Sequence, residues 1–119
     1  MINLLLENPL FNSTFFVGLI FVLAGLLLYL FPPKKINYLY GYRTQRSMES
    51  QERWDFAQKF SAKELIKLGM LLSVSSVTAL LSNFTHSTNL LVGLFLVIVT
   101  CILLFLRVEN ALKNNFNKK

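Results

Sequence analysis

Two long stretches of this chain carry almost no charge, and a soluble domain could not accommodate them. Residues 1–33 hold a single ionised side chain, Glu7, and residues 68–106 hold none. Soluble domains place charge on about one residue in four. Here the whole chain reaches 15%, and 54% of it is apolar. Disorder, a secreted disulfide scaffold and a cytosolic catalytic domain are excluded on that basis, the second also because Cys101 is the single cysteine. Lying within an apolar run, Cys101 reads as a small buried hydrophobe rather than a nucleophile.

The first apolar run covers residues 11–31. At about 1.5 Å per residue it crosses a bilayer core of about 30 Å, and Pro32 and Pro33 stop it. A second run, residues 65–81, has one charge, Lys67; a third, residues 90–106, has none. Ser61 and Glu64 have the S-x-x-E spacing of a capping box, which starts the second helix near Ala62 and lengthens it. The expected architecture is an all-α integral membrane protein, one domain over residues 1–119. Its three transmembrane helices fall at about 11–31, 62–82 and 89–107, with a cytoplasmic segment, 32–61, that holds a short amphipathic helix. A signal peptide is not expected at the N-terminus, because residues 1–14 contain no Lys or Arg and the apolar run is too long for one.

Twelve Lys and Arg against six Asp and Glu give a net charge of +6, but the placement does not point to nucleic acid. All twelve lie at Lys34 or later, in residues 34–67 or after Leu106. The positive-inside rule therefore puts the long loop and the C-terminus in the cytoplasm, with the N-terminus and the short loop carrying His86 outside. Small residues recur at helical spacing in each run: Thr14, Gly18 and Gly25; Gly69, Ser73 and Ser76; Gly93 and Thr100. They are the expected mutual contacts of a three-helix bundle in lipid.

Specific chemistry is confined to residues 37–63. Tyr38, Tyr40 and Tyr42 alternate with Gly41, Arg43 and Arg46, a mixture suited to the headgroup layer. Ser47 is a good N-cap for a helix running to about Phe60. On a helical wheel Gln51, Glu52, Asp55, Gln58 and Lys59 share one side, and Trp54, Phe56, Ala57 and Phe60 the other. Glu49 and Arg53, four residues apart, project among the aromatic residues and are expected to pair. Two readings of the arginines stand. Either an interfacial helix lets Arg53 snorkel to lipid phosphate, or Arg43, Arg46 and Arg53 build an anion-binding pocket, since the guanidinium fork suits phosphate.

No catalytic, cofactor or metal constellation is recognisable. His86 stands alone in a polar turn, and Glu49, Glu52 and Asp55 read as a solvated face. No enzymatic activity is expected.

The order Gly41, Tyr42, Arg43, Thr44, then Ser47, Trp54, Ala57 and Ser61, followed by a span containing Gly69, resembles the membrane module of the SdpI family. The likeness covers about residues 22–106, with most of its specificity in residues 41–61. It implies a multi-pass protein of the bacterial cytoplasmic membrane, acting in immunity to a secreted killing peptide or in signalling through a captured regulator. Tyr42, Arg43, Thr44, Arg46, Ser47, Glu49, Arg53 and Trp54 are the candidate residues for binding a partner or an anionic headgroup. The partners in view are the bilayer, anionic lipid headgroups, a toxin peptide, a cytoplasmic regulator and a second copy of the chain. Two alternatives remain: a protein that binds anionic lipid headgroups, or carries or modifies lipid phosphates, and an accessory subunit packing by its small-residue stripes against a larger membrane protein.

Overall fold

The structure, a computed structural model, describes residues 6–81 and 84–116. It is all-helical over those residues: α1 (Pro9–Leu30), α2 (Gln51–Val74), a 3-10 turn (Ser75–Val77), the short α3 (Thr78–Leu81) and α4 (His86–Phe116). Asn8 starts α1 by accepting from the Leu10 backbone N–H at 2.9 Å, with Pro9 just inside the helix. The end of α1 is closed by the loop that follows. The Tyr40 hydroxyl donates to the carbonyls of Leu27 at 3.3 Å and Phe31 at 2.8 Å.

The sequence predicts a break between an amphipathic helix and a second span, and the structure has none. Helix α2 begins at the N-cap Ser50, whose hydroxyl accepts from the Arg53 N–H at 3.1 Å, and runs on unbroken to Val74. Between Gln51 and Leu68 there is no Gly or Pro to interrupt it. The supposed cap Ser61 sits mid-helix and donates back to the Gln58 carbonyl, while Glu64 reaches another helix altogether. Ser47 caps no helix either; it pins the turn before α2.

Helices α1 and α4 are each long and apolar enough to cross a membrane. The apolar part of α2 is interrupted instead by the 3-10 turn at Ser75–Val77, and Ser82, the expected end of the second span, lies outside the described residues. Helix α4 extends past the expected limit at residue 107 to Phe116. Its last turns therefore reach the loop.

Glycines set the helix contacts. A Cβ on Gly18 would come within 2.6 Å of the Gly69 carbonyl oxygen, and one on Gly25 within 2.9 Å of that of Ala62, so α1 and α2 pack backbone to backbone. The Ser73 hydroxyl adds a bond across them, donating to the Phe15 carbonyl at 3.0 Å. Gly93 of α4 meets Ser13 and the Pro9 carbonyl of α1. Thr14, Ser76 and Thr100 are also buried. Outward, Ile20, Leu23, Leu71, Val74, Phe95 and Ile98 are more than half exposed, as side chains against lipid would be. Cys101 also faces outward, contrary to the sequence reading: on a helix bathed in lipid, an apolar neighbourhood does not imply burial.

Candidate functional site

At the end of the molecule formed by the loop, the start of α2 and the last turns of α4, apolar packing and polar bonding coincide. Ala57, Val108 and Leu112 are fully buried between α2 and α4, with Tyr42, Phe56, Phe60, Leu104 and Phe116 packed around them. Trp54 is also wholly buried, and its indole N–H donates to the Pro33 carbonyl at 2.7 Å, which ties the loop to α2.

Gln58 is the second tie. Its amide clamps the backbone of Tyr42, accepting from the N–H at 2.7 Å and donating to the carbonyl at 2.8 Å. The sequence assigned Gln58 to the solvated side of the helix; the structure buries it because its amide satisfies both backbone groups of a chain segment laid across it. Gly41 lets that segment approach. Its φ of +109° lies in the region that favours glycine, and a Cβ there would sit 2.5 Å from Gln58 Oε1.

Glu109 is the third. One carboxylate oxygen accepts from the Tyr42 hydroxyl at 2.7 Å and the Thr44 hydroxyl at 2.8 Å, and the other takes Arg46 at 3.1 Å. Burial, followed by the bond to Glu109 and its negative charge, pushes the Tyr42 phenol well above its ordinary range. Sequence reasoning missed Glu109. The available signal was that it is the one carboxylate after Glu64, near the end of an otherwise apolar run.

The eight candidate residues thus take different places. Tyr42, Thr44 and Arg46 converge on Glu109. Ser47 is buried beneath them, accepting from the Thr44 N–H at 2.8 Å and donating to the Tyr42 and Thr44 carbonyls. Trp54 is likewise beneath the surface, so both shape it without being open to a partner. Arg43 is exposed and donates to the Tyr38 carbonyl. Arg53 pairs with Glu49, as the spacing predicts, and lies 5.6 Å from the centre of the Phe116 ring. Each arginine is held by a different partner. Among the described residues no buried side-chain nitrogen or oxygen lacks a hydrogen bond.

A second polar link joins α2 to α4 nearer the membrane. Glu64 is buried and holds Arg107 of α4 together with Lys67, the latter at 2.8 Å. The stretch from the loop to Arg107 is thus tied by polar bonds at two places, from Glu64 to Arg107 within it and at Glu109 just beyond it.

That segment is also the one that known proteins share. Residues 34–107 match the SdpI/YfhL protein family. The chain belongs to that family. It is 38% identical over 96 residues to a Bacillus subtilis (strain 168) protein described as uncharacterized protein YfhL, a likeness covering 81% of this chain and 82% of that one. No solved structure matches. The family match takes in the loop, α2, α3 and α4 as far as Arg107, and leaves Glu109 two residues beyond its edge.

Proposed function

We propose that this SdpI/YfhL family protein is a non-enzymatic, three-span protein of the bacterial cytoplasmic membrane that acts in immunity to a membrane-active peptide or in membrane signalling. The orientation follows from charge: with every Lys and Arg at residue 34 or beyond, the loop and C-terminus are cytoplasmic. The observation that carries the reading is the Glu109 junction. It ties a loop surface bearing Arg43, Arg46 and the Glu49–Arg53 pair to the end of α4, a helix whose other side faces lipid.

A peptide that meets α4 within the bilayer, or a regulator that meets the loop from the cytoplasm, acts on the same junction from opposite sides. Family membership supports an SdpI-like role, and the buried supports Trp54, Gln58 and Ser47 favour a preformed surface over an induced one. Deleting the gene and challenging cells with a broad panel of membrane-active peptides tests the immunity arm. The expected result is greater sensitivity to at least one peptide, restored by the wild-type gene and not by Glu109→Gln. Unchanged sensitivity to every peptide sinks immunity.

A further inference from the structure

The cations that the sequence draws attention to are arginines, yet those are engaged by the protein's own carboxylates and carbonyls. A different set is left over. Helix α2 carries Lys63 and Lys67 one turn apart, and with Leu26, Tyr29 and Ile66 they line an open groove of about 460 Å³ where α1 and α2 meet. Lys63 is exposed, and among the described residues it makes no ion pair or hydrogen bond. The half-exposed Tyr29 hydroxyl is likewise unbonded among them. Lys67 shares the Glu64 carboxylate with Arg107 and keeps most of its side chain exposed. Two cations thus share one carboxylate, and Lys63 adds a further positive charge one turn away on α2. Asp55, two turns along α2, accepts from Gln51 at 2.8 Å.

Depth decides what could answer this charge. Gly25 abuts Ala62 and Ile66, which puts Lys63 level with the last turn and a half of α1. With Leu30 ending that helix, Lys63 lies about 6 Å below its end and Lys67 about 6 Å deeper still. Since residues 11–31 match the thickness of the hydrocarbon core, the end of α1 marks the edge of that core, and a headgroup layer about 5–7 Å thick lies above it. A lysine about one turn inside that edge, facing outward and without a protein anion, extends its ammonium along the surface toward the phosphates above. Leu26 and Ile66 provide an apolar floor directly beneath.

We propose that this groove binds one anionic phospholipid, its phosphate held by Lys63, Lys67 and the Tyr29 hydroxyl and one acyl chain lying along Leu26 and Ile66. The site is separate from the Glu109 junction, and it holds whether or not the protein confers immunity. Native mass spectrometry of the full chain in mild detergent, titrated with phosphatidylglycerol, phosphatidylcholine or inorganic phosphate, tests it. One phosphatidylglycerol should be retained in preference to phosphatidylcholine. Lys63→Gln should weaken that retention about fivefold, and Lys63→Arg should preserve it. Leu26→Trp fills the groove while leaving every charge in place, and it too should lower retention. Equal retention of the two lipids, wild-type retention by both Lys63→Gln and Leu26→Trp, or binding of inorganic phosphate without phosphatidylglycerol would each overturn the proposal.

Discussion

The two ends of the molecule are held together by different means. Toward the short loop, α1 meets α2 and α4 through Gly18, Gly69 and Gly93, with no large side chain between the backbones. Toward the long loop, α2 and α4 pack around Val108, Leu112 and three phenylalanines, Trp54 is buried against the loop, and polar side chains stitch the loop across them. Solvent explains the contrast. Lipid is as apolar as leucine, so helices within it gain most from close backbone approach. Near water, burying aromatic and aliphatic surface is itself favourable, and a loop that covers such surface must bond its own backbone groups to side chains.

Substitutions can break this contrast, and the largest effect belongs to the loop end. Trp54→Ala removes the largest buried side chain and leaves the Pro33 carbonyl without its donor, and should cost about 4 kcal/mol in thermal unfolding of the detergent-solubilised protein. At the other end, Gly69→Val must push a side chain into the Gly18 carbonyl and should cost about 2–3 kcal/mol. Its loss should be insensitive to salt, because no charge is involved.

Glu109→Gln comes next, at about 2 kcal/mol, since Arg46 and two hydroxyls lose a charged acceptor. Hydrogen exchange should rise in residues 42–47 and not at the glycine contacts; an even rise along the whole chain would erase the distinction. Tyr42→Phe should cost about 1 kcal/mol at neutral pH. It should also change the alkaline limb. In the folded protein the phenol holds its proton more tightly than its ordinary value of 10.0 allows, so both states keep the proton below that pH. Above it the unfolded chain ionises first, and wild-type stability falls as pH rises. The Phe variant lacks that part of the fall. Glu49→Gln, at an exposed pair, should shift stability by less than about 0.5 kcal/mol.

Much of the membrane-facing half was legible from the sequence. The charge-free runs located α1 and α4, and the small residues named the contacts of Gly18, Gly25, Gly69 and Gly93, because both signals are written in local composition and helical period. The loop end was harder. Gln58 and Glu109 bond to Tyr42 across 16 and 67 residues, and no periodicity reports a partner so distant. The Glu49–Arg53 pair, four residues apart, was readable for the opposite reason. Ser61 and Glu64 misled because a capping spacing is only permissive; without a helix-breaking residue beside it, the chain continues as helix, and each side chain takes another partner.

That continuity gives α2 the mechanics of a lever. Its close seats are at Gly69 against Gly18 and at Ala62 against Gly25, and the arm from Ala62 to Gln51 is about 17 Å long. With no hinge along the arm, a tilt of about 5° at Ala62 swings the aqueous tip by roughly 1.5 Å. Trp54, about 12 Å along the arm, moves by about 1 Å, which stretches its 2.7 Å bond to the loop beyond hydrogen-bonding length.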